Sequence, residues 1–190
     1  MLENYHIILA SGSPRRRELL KGLGLAFEVR VIPGIDESHP EGLPPEEVPR
    51  FIARRKAEAY VREMKVNDLI ITADTVVTLD GGILEKPRDR EDAVRMLKQL
   101  SARRHTVVTG VVITAAHRQT DFSVASEVVF SPLEDEEINY YVDTFRPYDK
   151  AGAYGIQEWI GYVGVHAIYG SFYNVMGLPV QRLYQELKSF

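Results

Sequence analysis

The segment from Ile7 to Leu20, Ile-Ile-Leu-Ala-Ser-Gly-Ser-Pro-Arg-Arg-Arg-Glu-Leu-Leu, restricts the fold of this 190-residue chain more than any other stretch. The apolar run Ile7 to Ala10 suits a strand covered on both faces. Ser11, Gly12 and Ser13 make a tight turn. Ser13 suits an N-cap, and Pro14 suits the first helical position, where its missing N–H costs nothing. A helix N-terminus presents backbone N–H groups and partial positive charge. Arg15, Arg16 and Arg17 add permanent charge where it opposes the helix dipole, so a partner anion is expected there. Strand, small-residue turn, capped helix and arginines together describe a phosphate site. The plainer alternative is a capped helix with a solvated basic first turn.

Strand-like runs alternate with helical ones along the rest of the chain, which indicates an α/β fold. Phe27 to Ile32 alternates like a strand. Pro33 to Pro45 is a loop rich in Pro, Gly and acidic residues, and carries Asp36 and Glu37. A helix is expected over Glu46 to Met64, with Val48, Phe51, Ile52 and Ala59 on one stripe. Arg55 and Lys56 fall on that stripe, so they either snorkel to water or point into a cleft. Leu69 to Ala73 reads as a second buried strand ending at Asp74 and Thr75. Ligands of open α/β sheets bind beyond the carboxyl ends of strands, which singles out Asp74. Val76 to Leu79, Asp80-Gly81-Gly82 and Ile83-Leu84 read as a hairpin closed by Lys86-Pro87. Asp89 caps a helix through Leu100. His105 to Thr114 and Thr120 to Phe130 read as a strand pair. Ser131-Pro132-Leu133-Glu134 has the form of a capping box, opening a helix to about Phe145. Asp149 to Gln157 reads as a binding loop. Gly161 to Ile168 reads as a strand, and a last helix starts near Pro179.

Composition narrows the function. There is no cysteine, which excludes disulfides, thiol catalysis and thiolate metal sites. The net charge of -4 argues against an extended nucleic-acid footprint, so any anion is held by local charge. No apolar stretch has membrane-spanning length and no signal-peptide pattern is present, so a soluble cytoplasmic protein is expected. The five histidines do not form metal-ligand spacing. Arg15, Arg16, Lys56 and Lys86 supply positive charge for a polyanion, while Glu37 and Asp74 supply carboxylates for a metal or a water. Polyphosphate hydrolysis needs that mixture.

A resemblance follows from the ordered motifs. They are Ala10-Ser11-Gly12-Ser13-Pro14-Arg15-Arg16, Arg55-Lys56-Ala57, Ala73-Asp74-Thr75-Val76-Val77, Lys86-Pro87, Asp149 to Gln157, and Gly170 to Pro179. In this order, over nearly the whole chain, the set resembles the Maf family of nucleoside triphosphate pyrophosphatases. The resemblance implies one Maf-like domain over 1–190 and hydrolysis of a nucleoside triphosphate to monophosphate and pyrophosphate. It implies a divalent cation, Mg²⁺ or Mn²⁺, and a homodimer. The implied fold is an elongated, two-lobed α/β mixed sheet with flanking helices and a central cleft, similar to the inosine triphosphate pyrophosphatases. Asp74 matches the proton acceptor, and Ser11, Arg15, Lys56 and Lys86 match the phosphate-binding positions. Metal binding is expected at Asp74, with Glu37 a second carboxylate. Arg16, Thr75 and Gln157 match the base-selecting set of the dTTP and UTP branch. A glutamine amide offers both a donor and an acceptor to the edge of uracil or thymine. The sequence departs from the commoner pattern at Ser171-Phe172-Tyr173, which is read as a packing variation. Two alternatives stand beside this expectation: the same reaction on 7-methyl-GTP or CTP, and a nucleotide- or RNA-binding regulator of cell division without turnover.

Overall fold

The computed structural model describes residue 2 and residues 4–190. His6–Leu9 forms β1, Pro14–Lys21 α1, Glu28–Val29 β2 and Val48–Val61 α2. Asp68–Leu79 forms β3, Gly82–Leu84 β4, Arg90–Leu100 α3, Arg104–Ala115 β5 and Arg118–Phe130 β6. Asp135–Phe145 forms α4, Trp159–Gly164 α5, Val165–Tyr169 β7, Phe172–Met176 α6 and Val180–Leu187 α7. A short 3₁₀ turn covers Ala151–Ala153. The strands form one mixed sheet in the order β2-β1-β3-β5-β6-β7, with β4 paired to β3. β1 runs parallel to β2 and β3, whereas β4 and β7 run antiparallel to their neighbours. The fold is therefore the expected mixed α/β sheet with helices.

The chain divides into two compact units. One comprises the chain up to Asp74 with residues 109–124 and 177–190; the other comprises 75–108 and 125–176. In the first unit, Ile8, Ala10, Tyr60 and Ile70 form a core cluster, with Ile32, Ile35, Ala59 and Met64 packed against it. The Tyr60 hydroxyl donates to the Arg30 carbonyl and accepts from the Ile32 N–H, each at 2.9 Å, which ties the chain after β2 to α2. Ala53 and Ala57 present small faces that let α2 lie against Val112 of β5. In the second unit α3 packs on α4. Ala93, Met96, Leu97 and Leu100 are buried on one helix, and Ile138, Tyr141 and Val142 on the other.

The local signals at α1 hold. Ser13 is the N-cap, its hydroxyl accepting from the Arg16 N–H, and Pro14 opens the helix. The hairpin forms where Asp80-Gly81 places it, with positive φ at both turn residues. Asp89 caps α3 through the Asp92 N–H at 2.8 Å.

Four expectations are corrected. Only Glu28–Val29 of the 27–32 stretch is strand; one more backbone bond, from the Arg30 N–H to the Leu9 carbonyl at 3.1 Å, follows it, and Tyr60 then takes the Arg30 carbonyl and the Ile32 N–H. β3 does not end at Asp74 but continues to Leu79, because Thr75, Val76 and Val77 sustain the β-branched run. The cap of α4 is Glu134, paired with Glu137, rather than Ser131. Ser131 instead spends its backbone groups on Gly164 and Ala102. Residues 159–164 form α5, so β7 starts only at Val165.

Candidate active site

Asp74 is aimed by the register between α2 and β3. The Thr72 hydroxyl donates to the Ala53 carbonyl at 2.8 Å, which fixes β3 against the helix. Two residues on, the same strand face presents Asp74, and one helical turn on, α2 presents Lys56. The two meet, with Lys56 Nζ donating to Asp74 Oδ1 at 2.9 Å. Both side chains are largely buried, 13% and 14% exposed. Of the two expectations for Lys56, the inward one holds.

Glu37 reaches the same ammonium, its Oε1 lying 3.0 Å from Lys56 Nζ. The acidic loop is held on both sides of it. Ile35 packs on the core cluster. Arg55, the next residue on the stripe, pairs with Asp36 at 2.9 Å and donates to the Ser38 carbonyl at 3.0 Å. The Ser38 N–H, with its hydroxyl, holds the Asp36 carboxyl below the usual carboxylate range. Asp36 thus secures the loop, and Glu37 faces the site.

The basic turn lies close by. Arg16 feels the charges of Asp74, Glu37 and Arg15. Burial of its guanidinium lowers its pKa, and the Asp74 charge opposes that shift. Nε donates to the Gly177 carbonyl at 2.8 Å, and Nη1 to the Ala73 carbonyl at 2.9 Å. The Ser11 hydroxyl accepts from the Ser13 N–H at 3.2 Å. The serines therefore take up part of the N–H display that the sequence offered to an anion.

These contacts bring Lys56, Asp74, Glu37 and Arg16 together in the first unit, beside the turn that carries Ser11 and Arg15. Thr75, Lys86 and Gln157 belong to the second unit. By the strand's two-residue period, Thr75 shares a face of β3 with Val77, and Gly152 sits against Val77. The Gly152 N–H donates to the Glu85 carbonyl at 3.1 Å, which joins this loop to the strand end that carries exposed Lys86. Gln157 Oε1 is buried without a hydrogen-bond partner. A buried acceptor left unmade is costly, so this amide oxygen has room for a donor that the chain itself does not supply.

Sequence reasoning missed what holds that loop. The Tyr141 hydroxyl accepts from the Gly155 N–H at 2.9 Å and donates to Glu158. Lys150 Nζ lies 3.2 Å from Glu158 and 2.8 Å from Asp149. Nothing in helix periodicity marks Tyr141 for this, since a buried aromatic on α4 reads as core.

Two carboxylates on one ammonium also fit a divalent cation. Mg²⁺ and Mn²⁺ take hard oxygen ligands, and Mg²⁺ is commonly bound by one or two carboxylates plus substrate phosphates. Among the described residues no group of three or more His, Cys, Asp or Glu could hold a metal ion. Asp74 and Glu37 are the two carboxylates that the structure brings to the Lys56 ammonium.

The chain is similar over its whole length to proteins of known name. A protein of Parabacteroides distasonis named dTTP/UTP pyrophosphatase is 60% identical over 193 aligned residues, covering 100% of both chains. One of Porphyromonas gingivalis with the same name is 58% identical over 191 residues, covering 100% of this chain and 96% of its own. One of Phocaeicola vulgatus, also so named, is 57% identical over 187 residues, covering 98% and 97%. The family model described as Maf-like protein matches residues 6–190, from the first strand to the C-terminal residue, and the chain belongs to the Maf family.

Proposed function

We propose that this chain is a nucleoside triphosphate pyrophosphatase that hydrolyses dTTP and UTP to the monophosphate and pyrophosphate. The observation that carries the chemistry is Lys56 Nζ held between Asp74 at 2.9 Å and Glu37 at 3.0 Å. It places a cation for phosphate oxygens beside a carboxylate that can accept a proton. The names of the relatives support the choice of pyrimidine nucleotides.

In this reading, Ser11, Arg15, Lys56 and Lys86 hold the triphosphate. Asp74 accepts a proton from a water whose oxygen bonds to the α-phosphorus. The α–β bridging bond breaks, its electron pair stays on the β-phosphate oxygen, and pyrophosphate leaves. Asp74 and Glu37 would hold a divalent cation, which would supply charge neutralisation for the phosphates. Lys56 holds the Asp74 carboxylate in place by a direct charge-assisted hydrogen bond. Gln157 Oε1 accepts the imide N–H of uracil or thymine while its amide N–H donates to a ring carbonyl, and Thr75 completes that face. A base lacking this pattern leaves the buried amide unpaired, which is strongly disfavoured.

The proposal includes the cytoplasm, where nucleoside triphosphates are made and used. Among the described residues no helix is long and apolar enough to cross a membrane. It also includes a homodimer. Exposed Tyr162, Tyr169, Phe172 and Tyr173 lie in and around edge strand β7 and support it as an apolar patch. Sedimentation tests that part.

The test of function is a panel of nucleoside triphosphates with Mg²⁺ or Mn²⁺, reading pyrophosphate against orthophosphate. Pyrophosphate from dTTP and UTP, with little from purine nucleotides, is expected. Orthophosphate release, or no turnover, overturns the proposal.

A further inference from the structure

His105 takes no part in the chemistry above, yet it is buried in the unit that carries Gln157. Its Nε2 shares a hydrogen bond with the Tyr154 hydroxyl at 2.7 Å. Its Nδ1 is buried with no hydrogen-bond partner. A buried ring that makes one polar bond and forgoes the other is costlier than an apolar residue of the same size, so the bond it does make calls for a reason. The ring of Phe130 meets both others edge to face, its centroid 5.2 Å from His105 and 5.0 Å from Tyr154. That packing fixes the plane of the Tyr154 ring, and the imidazole fixes its hydroxyl end.

Tyr154 stands at the exit of a strained turn. Gly152 and Ala153, just before it, have φ of 67° and 60°, in the left-handed region. An alanine keeps that conformation only where its surroundings impose it. The Gly152 N–H on the Glu85 carbonyl, at 3.1 Å, holds the entry of the turn. Tyr154, directly after Ala153, holds the exit. Gly155 comes next, and a Cβ built there would stand 2.9 Å from Gln157 Nε2. The Gln157 amide therefore lies against the bare α-carbon of Gly155. Contact runs without a break from His105 through Tyr154 and Gly155 to that amide.

We propose that His105 is a positioning residue for base selection: by holding the Tyr154 hydroxyl it locks the turn against which the Gln157 amide rests. His105 itself touches no nucleotide. Loosening the lock blunts the choice of base, while the phosphate chemistry at Asp74 and Lys56 runs on.

The inference rests on the pyrophosphatase reading. Its test uses Tyr154→Phe, His105→Leu, the pair combined, and His105→Gln, each assayed in the full chain with dTTP, UTP and GTP. Tyr154→Phe and His105→Leu each lower kcat/KM for dTTP and UTP by about tenfold, through KM, while GTP changes little. The combined variant loses no more than either single one, because both remove the same bond. His105→Gln keeps a partner for the hydroxyl and keeps the wild-type nucleotide ratios. Tyr154→Phe removes one oxygen atom and leaves the three rings packed, so it carries the test if His105→Leu does not fold. Wild-type ratios in Tyr154→Phe overturn the inference. Additive losses in the combined variant overturn it too, as does a fall in kcat by one common factor on all three nucleotides, which is the mark of a merely structural role. Amide hydrogen exchange, which needs no turnover, reads the lock directly: exchange at Gly155 and Glu158 quickens in Tyr154→Phe while Ile70 and Ile71 stay protected, and unchanged exchange overturns the lock. A wild-type chain that hydrolyses no nucleotide overturns the pyrophosphatase reading, and the exchange result then decides the lock by itself.

Discussion

Replacing Lys56 by Met removes one charge and keeps most of the packed stem. Two carboxylates then lose their shared ammonium. Their oxygens lie 2.9 and 3.0 Å from it, so they stand no more than about 6 Å apart. At that distance and an effective dielectric of about 20, two like charges repel by roughly 3 kcal/mol before screening. Glu37 is 49% exposed, so water and salt reduce this figure. The Lys56–Asp74 side is largely buried, so loss of that charge-assisted bond is felt more fully. A net destabilisation of about 2 kcal/mol at low salt follows, which for a chain of this size lowers Tm by about 4–8 °C. The assay is calorimetry at low ionic strength with and without Mg²⁺. Because a divalent cation fits the same two carboxylates, Mg²⁺ raises the Tm of Lys56→Met more than that of the wild type. A variant with wild-type Tm at low salt, and no larger response to Mg²⁺, refutes the argument that the two carboxylates share one cation position.

Asp74→Asn keeps the fold and lowers kcat by about 10²–10⁴-fold, the usual range for loss of a general base, as steady-state pyrophosphate release will show. Gln157→Leu lowers kcat/KM for dTTP and UTP by about tenfold or more while weakly used nucleotides change little, which a substrate panel checks. Gly110→Ala places a methyl on the backbone of Pro49 and Arg50, where α2 starts, and costs about 3 kcal/mol in urea unfolding because neither backbone can step aside. His105 is buried, and burial pushes its pKa down to about 4 from 6.5. Between those values the unfolded chain binds a proton that the folded chain refuses, so stability falls as pH drops from 6.5 towards 4, by up to about 3 kcal/mol. His105→Gln retains a partner for the Tyr154 hydroxyl, 2.7 Å from His105 Nε2, and flattens that slope in unfolding curves taken across the window.

Much of this was legible from local pattern. Ser13-Pro14, Asp80-Gly81 and Asp89 announce their cap, turn and cap because each signal is made and satisfied within a few residues. Asp74 was singled out by an argument that needs restating. It lies in the middle of β3, and the strand that ends beside it is β1. The carboxyl-end rule therefore holds through the neighbour and not through Asp74's own strand. Gly161 to Ile168 misled because Ile160 to Val165 is apolar without a clear period, and helix and strand are then hard to separate. Ser131 misled because its backbone is tied to Gly164 and Ala102, ahead of the helix, while Glu134 with Glu137 makes the capping box three residues later. The sharpest losses were long-range. That Lys56 meets Glu37 as well as Asp74, that Arg16 clasps two carbonyls, and that Tyr141 props the Gln157 loop are all contacts between distant segments. Single-sequence spacing carries no record of them.

The most direct test of the central claim is hydrolysis of dTTP in water enriched in ¹⁸O, with mass analysis of both products. The account predicts one ¹⁸O atom in the monophosphate and none in the pyrophosphate, because water bonds to the α-phosphorus. Label in the pyrophosphate places the attack on the β-phosphorus and contradicts the mechanism built on Asp74.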